Sequence, residues 1–270
     1  MADVEALKST IEVCMFDQYG TVVDIQTGLT QAVTPFLEAK GWAGNPSSLV
    51  TWWRRTHFEN SMIDALLHKE HTPYREIGQR ALAYVLDRAG IPYRMEDVRA
   101  LVAEIERLRP FPEVPDALAR LRRRYRLAVL SNGDPDMLEA AKPRHGLAFD
   151  TLISVAVANS FKPHVATYTK AAEIIGVERS RVLFVANHAF DCIGAKAAGM
   201  RTAFIDRRRR PFGGHAPSAR SAGADPAGAR RPHGLSGPTA PLPNRQHKDH
   251  DGVSNRRTAA KSGLAGRFDT

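Results

Sequence analysis

An aspartate at the end of a short apolar run is the first residue of this sequence placed to do chemistry. In Val13-Cys14-Met15-Phe16-Asp17-Gln18-Tyr19-Gly20-Thr21 the apolar side chains stop at Asp17, and a Gly-Thr turn follows. A buried parallel strand delivers a side chain in this way to the mouth of an open α/β sheet, where ligands bind beyond the carboxyl ends of the strands. A carboxylate there is a nucleophile or a metal ligand, and Tyr19, two positions on, is not a second acid. Three more polar groups follow apolar segments in the same manner: Ser131-Asn132-Gly133, Lys162-Pro163, and Asn187-His188 with Asp191. Lys162 near Asp17 would keep the carboxylate ionised and hold it by an ion pair. Each group alone reads as an ordinary turn or helix start, but parallel strands bring all four, with Thr21, to one rim.

The elements that would position these residues follow from periodicity. Residues 28–40, 47–69, 75–89 and 94–108 carry apolar side chains at helical spacing, divided by Gly41, Asn45-Pro46, Thr72-Pro73 and Gly90-Ile91-Pro92. Four helices inserted after the first strand predict a separate cap over residues 27–108, with Pro110 and Pro112 marking the return. Helices at 114–124, 135–142, 165–175 and 191–198 then alternate with strands at 127–130, 151–155, 182–185 and 202–205. That alternation predicts an α/β fold with a doubly wound parallel sheet, built from residues 1–26 and 109–206.

The 270 residues are 43% hydrophobic, ample for a core, and carry a formal charge of +9. The charge is not spread evenly. Residues 207–270 hold 13 Lys/Arg and 4 Asp/Glu, while residues 1–206 hold 25 of each. The predicted folded part is therefore neutral, and the basicity belongs to a stretch rich in Gly, Pro, Ala, Arg and His. Such a stretch buries too little apolar area to offset its ordering entropy, and is expected to be a disordered tail. With no aromatic interleaving and no repeat, it argues against nucleic acid as a partner. Cys14 and Cys192 form no disulfide framework and fit small core residues in a reducing cytoplasm. No apolar run approaches the roughly 20 residues of a membrane span, and the N-terminus has no signal-peptide pattern.

The ordered set of Asp17, Ser131, Lys162 and Asp191 resembles the haloacid dehalogenase superfamily. Within it, the Phe-Asp-x-Tyr-Gly-Thr string of Phe16–Thr21 is similar to the (S)-2-haloacid dehalogenases, over about residues 13–205. Phosphatases of that superfamily need a second acid two residues after the nucleophile and acids that hold magnesium. A departing halide needs no proton, so Tyr19 at that place makes chemical sense. The resemblance implies Asp17 as nucleophile, Arg54 as receiver of the halide, Asn132 beside it, Ser131 on the substrate carboxylate, and the Lys162…Tyr168 pair behind. Tyr19 and Asn187 would join the substrate site, with Tyr74 as a looser pocket wall. The plainer readings stand beside these: a solvated helix face for Arg54, a core aromatic for Tyr168, and a helix-dipole partner for Asp191. Either Asp191 or His188 would activate water, imidazole being the side chain most readily used as a base near neutral pH. The implied reaction converts a small 2-haloacid to an (R)-2-hydroxy acid with no metal and no organic cofactor.

The resemblance also makes dimers frequent, with the cap helices as an available interface. Three other readings remain: a phosphatase of the same superfamily, an adaptor that uses its basic tail, and a dehalogenase damaged at its end. Related chains continue past residue 205 with a further strand and helix. Here Gly, Pro and Arg follow, as though the reading frame shifted near Phe212-Gly213.

Overall fold

Runs of apolar residues without alternation suit strands covered on both faces. Five strands, the three central ones of this kind, make one sheet in the computed structural model, which describes residues 7–67 and 70–207. They are β1 (Val13–Phe16), β2 (Arg126–Ser131), β3 (Thr151–Ser154), β4 (Val182–Ala186) and β5 (Arg201–Phe204). Their order is β3-β2-β1-β4-β5, and every pair is parallel. Cys14 of β1 lies level with Leu127 of β2 and Leu183 of β4, so the carboxyl ends of the three central strands open at one level. The chain runs outward from β1 through β2 to β3 and then crosses to β4, which puts the crevice of an open sheet beside β1. This is the expected doubly wound α/β architecture.

The segment between β1 and the rest of the sheet holds α1 (Ile25–Ala39), α2 (Pro46–Leu67), α3 (Tyr74–Arg88) and α4 (Met95–Ala103), closed by a 3-10 turn over Glu104–Arg107. α2 packs against α1 and α3, and α3 against α4. The remaining helices, α5 (Val114–Leu121), α6 (Pro135–His145), α7 (Val165–Ile175) and α8 (Ala189–Ala197), lie between the strands. Buried apolar residues from both sets join in one cluster. No helix among the described residues is long and apolar enough to cross a membrane.

Several boundaries differ from the expectation, each for a local reason. α1 begins at Ile25 because Asp24 accepts the Thr27 amide at 3.1 Å and starts the helix before Gly28. Gly28 lies inside this helix, and a Cβ on it would stand 2.5 Å from Leu108 Cδ2, so the glycine lets the chain pack closely. α6 runs past Lys142 to His145 and stops at Gly146, whose φ of 59° is left-handed. At the other end, Arg207 is ordered and does not open a disordered tail. Its side chain stacks on Phe111 at 3.6 Å, donates to the Thr21 carbonyl at 2.8 Å and pairs with Glu113 at 2.7 Å. Residues 208–270, the rest of the expected tail and the place of the suspected frame shift, lie outside the described residues.

Candidate active site

β1 ends in a carboxylate that the fold keeps almost wholly from water. The Asp17 amide donates to the Val185 carbonyl at 3.0 Å, which extends the strand ladder by one residue and aims the side chain past the sheet edge. Gly20 follows with φ +89°, and a Cβ on it would come 3.1 Å from His188 Cε1. A residue with a side chain would be strained there and would push His188 away. Both Asp17 oxygens are engaged. Lys162 Nζ donates to Oδ1 at 2.7 Å, and Thr21 Oγ1 donates to Oδ2 at 2.6 Å. His188 Nδ1 stands 3.5 Å from Oδ2.

Behind Asp17 the network continues inward. Lys162 is 2% exposed and donates also to Asp191 Oδ2 at 2.7 Å and to the Leu130 carbonyl at 3.0 Å. Tyr168 Oη donates to Asp191 Oδ1 at 2.5 Å. One ammonium thus serves two buried carboxylates. Burial alone would raise the Asp17 pKa, but the Lys162 charge and the hydrogen bonds from His188 and Lys162 outweigh it and hold the carboxyl well below the usual range. Burial, then the Asp17 charge, raise Asp191 despite Lys162 and Tyr168. Burial disfavours the Lys162 cation, and the two carboxylates more than compensate, so its pKa rises.

In front of Asp17 lies a cavity of about 330 Å³. Of the residues singled out in the sequence, Asp17, Tyr19, Arg54, Asn132, Lys162, His188 and Tyr74 border it. Thr21, Tyr168 and Asp191 do not; they support Asp17 and Lys162 from behind. Arg54 reaches the cavity from α2, with Nη1 donating to Gln26 Oε1 at 2.8 Å. Asn132 Oδ1 accepts the Lys162 amide at 3.1 Å, tying two rim loops together. Ser131 and Asn187 are not on the cavity wall. Ser131 is fully buried at the end of β2, where its hydroxyl accepts the Gly133 amide at 3.1 Å. Asn187 turns its side chain to the Arg207 amide at 3.3 Å, and its own amide donates to Thr21 Oγ1 at 2.9 Å.

Tyr19 stacks on Tyr74 with ring centres 5.8 Å apart and planes at 6°. Gly133 makes room for it, since a Cβ there would lie 2.6 Å from the Tyr19 hydroxyl. Sequence reasoning missed much of the apolar wall: Ile25, Leu29, Trp53, Phe58, Ile105 and Phe190. Phe190 had a signal, an aromatic in the first turn of α8 between His188 and Asp191, and it packs on Phe58 at 4.2 Å. His57 had none, because a lone helical histidine carries no motif. Its Nε2 donates to the Tyr74 carbonyl at 3.0 Å, and burial lowers its pKa to about 4, which keeps the ring neutral. Among the described residues no group of three or more His, Cys, Asp or Glu is arranged to hold a metal ion.

Known proteins resemble this chain in sequence and fold. Residues 11–199 match the family model of the haloacid dehalogenase-like hydrolases. The (S)-2-haloacid dehalogenase of Xanthobacter autotrophicus is 34% identical over 199 residues, spanning 73% of this chain and 76% of the relative. The haloacetate dehalogenase H-2 of Moraxella sp. (strain B) is 32% identical, with 73% and 86% covered. A solved structure of the Xanthobacter autotrophicus L-2-haloacid dehalogenase with chloropropionic acid covalently bound superimposes with a TM-score of 0.66 at 33% identity, covering 73% of this chain and 78% of that one. A sheet of this order, a buried and ion-paired aspartate at the end of its central strand and a family match over most of the folded residues lead to one conclusion: the chain belongs to the haloacid dehalogenase-like hydrolases.

Proposed function

We propose that this chain hydrolyses short (S)-2-haloalkanoic acids to (R)-2-hydroxyalkanoic acids and halide through an ester on Asp17. The observation that carries the reading is the Asp17 carboxylate itself. It is ionised by Lys162, borders a largely apolar cavity that contains the Arg54 guanidinium, and has an aromatic stack where a phosphatase needs its second acid.

In the first step an Asp17 oxygen attacks C2 of the substrate in line with the carbon–halogen bond. The new C–O bond forms as the halide leaves with its electron pair, and C2 inverts once. Arg54 receives the anion through a planar fork of donors, and the apolar rings beside it strip water from the nucleophile. Asn132 keeps the rim loops in register. In the second step a water adds to the Asp17 carboxyl carbon while its proton passes to His188. Breaking the bond between that carbon and the Asp17 oxygen that attacked in the first step, with His188 returning the proton to it, frees the hydroxy acid. The water oxygen stays in the Asp17 carboxylate, and C2 is not touched again. Splitting the displacement in this way is covalent catalysis.

His188 is the base of the second step in this reading. Its ring borders the cavity 3.5 Å from Asp17, whereas both oxygens of the fully buried Asp191 are taken up by Lys162 and Tyr168. Asp191 instead holds Lys162 in place, and Thr21 orients Asp17. Residues 27–108 act as the cap that closes the cavity. Trp52, Ile63, Leu66 and Leu67 give α2 an exposed apolar face suited to a second copy of the chain. Two free, buried thiols suit a reducing cytoplasm.

The test is halide release from each enantiomer of 2-chloropropionate, with Asp17→Asn as control. Release from the S form alone, (R)-lactate as product and loss in the variant are expected. Phosphate release from phosphomonoesters without any halide release would overturn the reading in favour of a phosphatase.

A further inference from the structure

Asp134 sits where a helix N-cap belongs, yet it serves a different helix. By sequence, Asp134-Pro135 opens α6 with an acceptor at the N-cap and proline at the first position. Its side chain makes no bond to α6. One oxygen accepts the Tyr74 amide at 2.7 Å, and the other accepts the Arg75 amide at 3.0 Å. These are the first two amides of α3, whose own N-cap residue, Pro73, has no side-chain acceptor to offer. Asp134 is 7% exposed. A carboxylate so buried needs its lone pairs satisfied, and the two amides with the positive end of the helix dipole do this. The Arg75 guanidinium adds a second tie, donating to Glu106 and to Asp136 of α6 at 2.9 Å each.

We propose that Asp134 is a positioning residue: it latches α3 to the rim loop that carries Asn132, and so holds Tyr74 in the wall of the catalytic cavity. Tyr74 is the residue whose amide Asp134 binds most closely. Its ring stacks on Tyr19 and lies 3.9 Å from His57, and its carbonyl accepts from His57. Releasing the latch frees three cavity-lining rings at once. The wall then opens to water, and the displacement step slows more than substrate binding weakens.

The kinetic half of this inference rests on the haloacid reading above; the structural half does not. Hydrogen–deuterium exchange of the segment 74–77 reads the latch directly, and kcat and KM for (S)-2-chloropropionate read its consequence. In Asp134→Ala, exchange of that segment rises about tenfold or more, the equilibrium factor of a lost charge-assisted bond, while the sheet strands are unchanged. The kcat falls with KM moved less than about twofold. Asp134→Asn keeps one acceptor oxygen and recovers part of both effects. Wild-type exchange at 74–77 in Asp134→Ala overturns the latch. If that variant does not fold, wild-type exchange in Asp134→Asn overturns it equally. Raised exchange with unaltered kcat refutes the positioning role. Raised exchange in a protein whose wild type releases no halide refutes the haloacid reading and supports the latch.

Discussion

Lys162→Met removes the ammonium that bridges Asp17 and Asp191, 2.7 Å from each, and leaves two nearly unexposed carboxylates facing one another. Breaking a buried ion pair by deleting one partner destabilises a fold by about 3–5 kcal/mol. The variant can lessen that loss by binding a proton, so the perturbation has a signature in pH. In the wild type the folded Asp17 pKa is depressed. Its contribution is therefore complete above the unfolded carboxylate value of about 3.9 and fades only as pH falls below it. Without Lys162, burial and mutual repulsion raise at least one folded carboxyl pKa. A raised pKa gives the opposite sign: the contribution is greatest at low pH and is lost as pH rises through the folded value. One extra proton bound by the folded state gives a slope of about 1.4 kcal/mol per pH unit, or about 4 kcal/mol between pH 5 and pH 8. Asp191 is already raised in the wild type, so the informative quantity is the difference between the two proteins. Urea unfolding followed by circular dichroism at both pH values measures it. The stability gap is expected to be widest at pH 8 and to narrow toward pH 5, with halide release abolished throughout. A gap that stays constant within about 1 kcal/mol would refute the shared-ammonium account.

Three further outcomes follow from the same geometry. His188→Gln should retain a single burst of halide while steady turnover falls about 10²–10⁴-fold, the usual worth of a general base, and mass spectrometry should find the ester on the Asp17 peptide; equal loss of burst and turnover would place His188 in the first step instead. Arg54→Lys should lower kcat/KM about 10- to 150-fold through loss of charge-assisted bonds to the leaving anion, with the unfolding midpoint unchanged. Arg207→Ala breaks the bond to the Thr21 carbonyl and the stack on Phe111, and should lower unfolding free energy in urea by about 1–3 kcal/mol.

The sequence by itself determined the parts whose physics is local or periodic. Apolar runs too short for helices and covered on both faces marked β1 and β4, and the abrupt polar residue after each run marked the rim. Helical spacing marked α1 to α4 to within a few residues. The motif residues Asp17, Thr21, Lys162 and Asp191 were legible because strand ends in a parallel sheet converge. The identity of the wall was not: Phe58, His57 and Phe190 meet only when α2, α3 and α8 pack together, and no spacing along the chain encodes that. Ser131 and Asn187 looked the same as Asn132 and His188 in sequence, yet the first two bind backbone amides away from the cavity while the second two border it. Asp134 is the sharpest case. Its neighbours assign it to α6, and only the tertiary structure gives its carboxylate to α3, because a helix that starts after proline must take its cap from elsewhere. The proposed choice of His188 over Asp191 likewise rests on three dimensions, since burial closes Asp191 off and leaves His188 facing the cavity.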